Sequence, residues 1–324
     1  MISAAHKALI SSKSETTPKS FKMTVTTTVI DTAFTIVAGN TGAYDATVIW
    51  GDGNPDSTIT TYNDADLTNT YSAIGSYTVE ITGDFPNLSF ANNVNGDLVT
   101  AVLATPVGYD NSVTNFFRAF YGSANLTSVS ADLDTSEVTS FSTAFRTCPV
   151  TSFPDLDYSA TTTIASTWYG CGGLTTFPAS SFPVATSISQ AWRNCTGLTS
   201  FGLITIPNVT NAKSAWEGCS SLISAPSIDF GSVTTLDEAW RNCTSLTTVP
   251  ANVFDNTACI VFNNAFLSCA LTATSVNNIL ISIDAAGQSN GTLGLNGGTS
   301  AAPTGAGATA KANLIAKGWT VTTN

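Results

Sequence analysis

Apolar residues recur along the middle of the chain at positions i, i+3, i+4 and i+7, with polar residues between them. One copy of this pattern comprises Ile188, Ala191, Trp192 and Cys195. The spacing places four side chains on one face of a helix, so it predicts two turns of helix in each copy. The pattern occurs seven times, with the residue before the aromatic side chain at Ala119, Ala144, Thr167, Ala191, Ala215, Ala239 and Ala265. Copies at near-constant spacing indicate a repeat array.

A second apolar segment follows six of these copies, and its leading residue returns at intervals of 24 residues. The leading residues are Leu126, Val150, Leu174, Leu198, Leu222 and Leu246. A further apolar residue follows three positions later, and proline comes next in four of the six segments. Because proline has no amide proton to donate to a ladder, the segment predicts a short strand that ends at the proline.

Helix and strand segments together read A-W/F-x-x-C-x-x-L, as in residues 191–198. This motif resembles the cysteine-bearing leucine-rich repeats of bacterial and phage surface proteins, the BspA-like class. The resemblance covers residues from about 113 to 271. It implies an α/β solenoid in which each repeat contributes one short helix and one short strand.

The N-terminal part has a different pattern, in which β-branched and apolar residues alternate. These segments predict strands at residues 23–29, 34–37, 47–50 and 76–81, and hence an all-β sandwich. The motifs W-G-D-G at 50–53 and T-Y-x-x-x-G-x-Y-T-V at 70–79 resemble the polycystic-kidney-disease (PKD) repeat. This resemblance implies an immunoglobulin-like spacer domain.

The fold class expected from these patterns is an α/β leucine-rich-repeat solenoid, preceded by an all-β immunoglobulin/PKD-like sandwich and followed by a small C-terminal α/β cap. Within that cap, the sequence predicts helices at 275–283 and 308–316 and strands at 291–295 and 319–322. The expected domains are a flexible N-terminal arm at 1–20, the sandwich at 21–84, a linker and solenoid cap at 85–112, the solenoid at 113–271 and the C-terminal cap at 272–324.

Composition and charge bear on three possible properties of the protein: nucleic-acid binding, a membrane span and secretion. The formal net charge is −11 and charged residues make up only 10% of the chain, so clustered cations for nucleic acid are lacking. No run of eighteen apolar residues predicts a membrane span. The first 20 residues lack the apolar core of a secretory signal, which leaves two expectations open: the protein is not exported by the signal-peptide route, or a leader has already been removed.

Candidate catalytic and metal-binding chemistry is sparse. Six of the seven cysteines occupy the same position in successive copies, which favours a stack of buried free thiols; disulfides between adjacent copies remain the alternative. The single histidine, His6, lies in the polar arm, so we expect no catalytic residue, no metal site and no cofactor. Calcium at Asp52 and Asp56 remains an alternative to a simple Asp-Gly turn.

Paired carboxylates are the other enzymatic alternative. Candidate acids are Asp132, Asp134, Glu137, Asp155 and Asp157. Solvated acids in loops have the same spacing as a catalytic pair, and we favour the interpretation that these acids are solvated.

The position immediately after the aromatic residue of each copy carries side chains of the kinds that are common in binding sites. We define the candidate row by its six polar or aromatic members, Tyr121, Arg146, Tyr169, Arg193, Glu217 and Arg241. Three of the four arginines of the chain lie in it, and Tyr and Arg dominate binding hot spots. The row is predicted to face outward and bind a glycan or a protein. The alternative is a solvated face with weak ion pairs.

The sequence thus favours a non-enzymatic structural or binding protein. The first hypothesis is a phage virion component, such as a fibre, tail-associated or decoration protein, located on the virion surface. The alternative is a bacterial cell-surface adhesin. Expected partners are other virion or surface proteins, or a host glycan or receptor, without nucleic acid or a membrane span; homo-oligomerisation stays open.

Overall fold

The computed structural model describes residues 17–91 and 93–324. The chain divides into two compact units, Met1–Thr161 and Thr162–Asn324. His6 lies outside the described residues, and so does the predicted N-terminal arm up to residue 16.

The first unit contains an N-terminal group of mainly antiparallel strands. They are β1 (Ser20–Thr27), β2 (Thr32–Thr35), β3 (Asp45–Ile49), β4 (Ser57–Ile59), β5 (Thr68–Tyr71), β6 (Gly75–Asp84), β7 (Val99–Val102) and β8 (Ser128–Val129). Short 3-10 helices at Ala65–Leu67 and Gly96–Leu98 precede β5 and β7. Six strands form one sheet in the order β4-β3-β6-β1-β7-β8, whereas β2 pairs with β5 separately.

Strand β1 is central to the larger sheet because it pairs antiparallel with both β6 and β7. Its alternate residues Phe21, Met23 and Val25 are fully buried, as expected for a strand with one face in the core. Parallel pairing of β7 with β8 extends the same sheet to Val129, well beyond residue 84.

The W-G-D-G turn of the first unit is built around Trp50. The indole Nε1 of Trp50 donates to Ser57 Oγ at 3.0 Å, and the Tyr71 hydroxyl donates to the Trp50 carbonyl at 3.1 Å. Gly51 follows with a φ of 77°, and a Cβ at this position would collide with the carbonyl of Thr78. Glycine is therefore required by both the backbone conformation and the close approach.

The second unit contains short parallel strands and two α-helices. Its elements are β9 (Thr176–Phe177), β10 (Ser180–Ser181), β11 (Ser200–Phe201), β12 (Ile204–Thr205), β13 (Val261–Phe262), α1 (Ala273–Ala285), β14 (Thr292–Gly294), α2 (Gly305–Ala316) and β15 (Thr320–Thr322). β9 pairs with β11, β10 pairs with β12, and β13, β14 and β15 form a three-stranded sheet; every pairing is parallel.

Helix α1 begins with a side-chain cap, in which Thr272 Oγ1 accepts a hydrogen bond from the Ser275 amide at 3.3 Å. Its last turn is tied to the residue after α2 by the Lys317 Nζ to Asp284 Oδ1 ion pair at 2.6 Å. Burial opposes ionisation of Asp284, but hydrogen bonds from Lys317 and Asn313 outweigh it and lower the pKa of this carboxyl.

The predicted α/β solenoid is wrong. Residues 113–271, all of which the structure describes, contain no α-helix, and the strands among them are two residues long. The described residues form mainly small separate β-sheets, with only two α-helices, both after residue 272. The chain is closer to an all-β protein than to the predicted class.

The hydrogen bonds of one copy explain the absence of helix. The amides of Ile188, Gln190, Trp192 and Asn194 donate to carbonyls of the following copy, at 2.7–3.0 Å. The alternate amides of Ala191, Arg193 and Cys195 donate three residues back, which makes turns rather than the i−4 bonds of an α-helix. In each copy the backbone has positive φ at two residues four positions apart, here Gln190 at 57° and Asn194 at 58°.

Candidate functional site

The aromatic residue of each copy is part of the core. In the second unit, Trp168, Trp192, Trp216 and Trp240 are fully buried, and successive indole rings stack with centroids 5.1–5.7 Å apart and planes within 8° of parallel. Phe266 continues the stack at 4.9 Å from Trp240. The prediction that these rings fill the core is confirmed, so they do not offer a surface for a ligand.

The cysteines lie beside this stack and are all buried and unbridged. Four thiols in the repeated position, those of Cys195, Cys219, Cys243 and Cys269, each donate a hydrogen bond to the backbone carbonyl of the aromatic residue in the preceding copy. The Sγ to O distances are 3.0 Å for Cys195 to Trp168, 3.1 Å for Cys219 to Trp192, 3.0 Å for Cys243 to Trp216 and 3.2 Å for Cys269 to Trp240. Cys148 makes the same bond to Phe120 in the first unit. The prediction of stacked free thiols is confirmed.

Burial also controls the ionisation of these thiols. It raises the pKa of Cys195, Cys219 and Cys243 well above the ordinary value, with neighbouring thiols contributing a smaller increase. For Cys269 the pKa rises to about 12, again because the thiolate would be desolvated. A protonated thiol is a poor nucleophile and a poor metal ligand, so the stack has the chemistry of a structural element.

The candidate acids make local hydrogen bonds. Asp134 is 1% exposed and accepts from the Ser136 amide, while Asp157 accepts from the Ser159 amide. Asp134 is therefore buried, in contrast to the predicted solvated loop. Asp52 accepts hydrogen bonds from Asn54 and Asn69 at 2.7–3.0 Å, so both of its oxygens are engaged by protein donors. Across the described residues there is no group of three or more His, Cys, Asp or Glu side chains suited to a metal ion.

Two members of the candidate row lie in the first unit. Arg146 places its guanidinium carbon 5.2 Å from the ring centroid of Tyr121, which is cation–π geometry. Both side chains are half-buried.

The other four members lie in the second unit, where three of them are in contact. The guanidinium carbon of Arg193 lies 5.6 Å from the ring centroid of Tyr169. On its other side, Arg193 Nη2 pairs with Glu217 Oε1 at 3.1 Å. A 24-residue interval separates Arg193 from Glu217, because adjacent copies bring equivalent positions together.

Glu217 departs from the predicted outward-facing row. The residue is 5% exposed, and its second carboxylate oxygen is buried without a hydrogen-bond partner. Among the described residues, the Arg193 guanidinium is the one ion-pair partner of this carboxylate, and the side chain of Arg193 is 29% exposed. In the second unit, the members of the row thus form a half-buried strip in which the Glu217 carboxylate belongs to the interior.

Arg241 is paired with a residue outside the row. Its Nη1 lies 2.6 Å from Glu238 Oε1, within the same copy. A further pair, Lys213 Nζ to Asp237 Oδ2 at 2.7 Å, lies on the same set of copies, and hydrogen bonding to Asp237 raises the pKa of Lys213. Lys213, Asp237 and Glu238 were absent from the predicted site, although opposite charges 24 residues apart in a 24-residue repeat are a signal for Lys213 and Asp237.

Comparison of the chain with protein-family models, curated proteins and solved structures finds no match. The leucine-rich-repeat and PKD resemblances therefore stay predictions. Neither α-helix of the described chain has the length and hydrophobicity that a membrane span requires.

Proposed function

We propose that this protein is a non-enzymatic structural and binding protein of a phage virion, and that it attaches to a partner through the members of the candidate row in the second unit, Tyr169, Arg193, Glu217 and Arg241. The observation that carries the proposal is the ordered contact series from Tyr169 through Arg193 to Glu217. Tyr and Arg supply most of the energy at protein interfaces. Side chains that are already held by stacking and ion pairing lose less conformational entropy when they bind.

The core supports a structural role. Parallel aromatic rings, thiol-to-carbonyl bonds and amides shared between adjacent copies give each copy of the second unit several contacts with the next. Such a stack holds surface side chains at fixed spacing, which suits recognition of an extended partner. The raised pKa of the buried thiols disfavours a cysteine nucleophile.

Location is tested directly by mass spectrometry of purified virions. A virion protein should be recovered at a constant ratio to the major capsid protein through gradient purification. Recovery from the bacterial envelope in uninfected cells would instead support the alternative, a cell-surface adhesin. Recovery from neither fraction would contradict both forms of the proposal.

Attachment is tested with charge variants of the second unit. Arg241→Ala removes one cation of the row, and Arg193→Ala combined with Glu217→Gln removes the central pair without leaving a buried carboxylate unpaired. We expect each variant to weaken attachment to host cells or to a neighbouring virion protein at least tenfold, because hot-spot residues contribute more than about 1.4 kcal/mol.

Lys213→Ala is the matched control for attachment, since it also removes an exposed cation with an ion-pair partner but lies outside the row. Attachment should be retained in this variant. Equal attachment by wild type, both row variants and the control would exclude the row as the attachment surface.

A further inference from the structure

A polar hollow lies beside the parallel sheet of the second unit. It has a volume of about 410 Å³, and its polar lining includes Asp237, Asn263, Asn264, Thr292, Thr320 and Thr322. This volume falls within the usual range of small-ligand sites.

The strand register explains why these residues meet. Thr292 pairs with Val261 and Thr320, and Gly294 pairs with Thr322. Because successive strand residues point to opposite faces, Thr292, Gly294, Thr320 and Thr322 share one face of the sheet. The alternate residues Phe262 and Leu293 are buried.

Gly294 creates the gap in this face. Its partner on the neighbouring strand β15 is Thr322, which carries a side chain. A Cβ at Gly294 would lie 2.8 Å from the backbone nitrogen of Asn264, which is too close for any larger residue. Because Asn264 approaches so closely, this position of the sheet face has no side chain, whereas the neighbouring positions on the same face carry polar side chains.

The chemistry of the lining restricts the ligand. Hydroxyl and carboxamide groups both donate and accept hydrogen bonds, and the Asp237 carboxylate accepts them. Within the described part of the chain, the side-chain amides of Asn263 and Asn264 have no hydrogen-bond partner, and both residues are exposed. These groups are available to bind a ligand rich in hydroxyl groups.

Other ligand classes fit less well. Leu293 is the only large apolar residue of the lining and is 2% exposed, so an apolar side chain of a peptide finds little surface to contact. The nearest cation, Lys213, is already paired with Asp237, so a phosphate or carboxylate would face an acid without a free positive charge. A single paired carboxylate is also a poor site for a divalent cation.

We infer that the hollow at Gly294 binds a neutral saccharide, with Asp237, Asn263 and the threonine hydroxyls contacting vicinal hydroxyl groups of one or two sugar rings. None of the six residues of the candidate row lines this site, and the inference does not depend on the role of the row in attachment. The full chain therefore carries two binding surfaces that substitutions can separate.

The test uses the purified full chain on an array of immobilised neutral oligosaccharides, followed by titration calorimetry with the corresponding methyl glycosides of glucose, galactose, mannose, rhamnose and N-acetylglucosamine. At least one should bind with a dissociation constant of about 1 mM or tighter. Asn263→Ala and Thr320→Val should each weaken that binding by about five- to tenfold, as expected for the loss of one or two hydrogen bonds.

Thr248→Val is the matched control, because Thr248 is an exposed threonine at a parallel bridge with Ser224 and lies outside the hollow. It should bind saccharide as wild type does, and so should Arg241→Ala. Absence of saccharide binding, or binding that Asn263→Ala and Thr320→Val leave unchanged, would overturn the inference. Neither result would bear on the candidate row, whose variants are tested by cell or virion attachment.

Discussion

Arg193 reaches across one 24-residue interval to place its Nη2 atom 3.1 Å from Oε1 of Glu217, a carboxylate whose side chain is only 7% exposed. An exposed ion pair contributes little to stability, but a buried carboxylate that loses its partner is costly. The relationship is therefore asymmetric: Glu217 depends on Arg193 more than Arg193 depends on Glu217.

This asymmetry predicts the outcome of a double-mutant comparison. Arg193→Ala should lower the free energy of unfolding by about 1–3 kcal/mol, because it leaves the Glu217 carboxylate buried and unpaired. Adding Glu217→Gln should restore most of the loss. The measurement is urea unfolding at neutral pH, with Lys213→Ala expected to change stability by less than about 1 kcal/mol. A double variant as unstable as Arg193→Ala alone would show that the pair is not what balances Glu217.

Trp216 provides a second test, of the aromatic stack. Its ring centroid lies 5.7 Å from that of Trp192 and 5.1 Å from that of Trp240, with all three planes nearly parallel. Trp216→Ala should destabilise the protein by about 3–5 kcal/mol through loss of a large buried side chain.

Trp216→Phe is the informative companion variant. The buried indole nitrogen of Trp216 has no hydrogen-bond partner, so phenylalanine loses packing but also removes an unsatisfied donor. We expect a cost below about 1.5 kcal/mol. Thermal unfolding of both variants checks the stack, and equal losses for Ala and Phe would mean that ring stacking contributes nothing measurable.

The same copies show how far sequence reasoning reaches. The i, i+3, i+4, i+7 spacing correctly predicted that Ile188, Ala191, Trp192 and Cys195 are buried, since all four are fully inaccessible. It was wrong about the backbone, because periodic burial does not determine where the amides donate. Every second amide bonds to the next copy, and this removes the i−4 bonds that define a helix.

Elements with local signals were predicted more accurately. Residues 76–81 lie within β6, and the helix predicted at 275–283 lies within Ala273–Ala285. Both depend on patterns contained in one segment. The hollow at Gly294 depends on the long-range register between β13, β14 and β15, which no single segment of the sequence encodes.

Positive φ values give a third prediction, which concerns the residue before the cysteine of each copy. Gly218 has a φ of 73°, and a Cβ there would collide with the side-chain oxygen of Asn194. Gly218→Ala should therefore lower stability by about 1–2 kcal/mol, mainly through backbone strain, because the end of the Asn194 side chain can move away from the new Cβ. Adding Asn194→Gly should recover the part that is due to the collision.

Asn242 is the matched position in a neighbouring copy, with a φ of 61° and an exposed side chain. Asn242→Gly should change stability by less than about 0.5 kcal/mol, since glycine adopts this conformation freely. Denaturant unfolding of the variants compares the two sites. If Gly218→Ala is as stable as wild type, the turn conformation described for the copies is incorrect.

The buried thiols give the last prediction, a loss of stability in alkaline solution. Burial raises the pKa from an ordinary value of 9.0 to about 11 for Cys259 and about 12 for Cys269, and it also raises the pKa of Cys195, Cys219 and Cys243 well above the ordinary value. Above pH 9 the unfolded chain therefore releases thiol protons that the folded chain retains. The contribution of the thiols is complete below that pH and is lost progressively as pH rises towards the folded pKa values.

Each such thiol should lower the free energy of unfolding by about 1.4 kcal/mol per pH unit within that window. Tyrosine and lysine side chains also titrate there, so the thiol share is isolated with Cys243→Ser. A serine hydroxyl keeps a donor for the Trp216 carbonyl, which Cys243 Sγ contacts at 3.0 Å, but does not ionise in this range. Urea unfolding across the alkaline range, with reductant present throughout, should give a slope shallower by about 1.4 kcal/mol per pH unit for Cys243→Ser. Identical slopes for the two proteins would mean that the Cys243 thiolate is solvated in the folded chain, and that the cysteine stack is open to water.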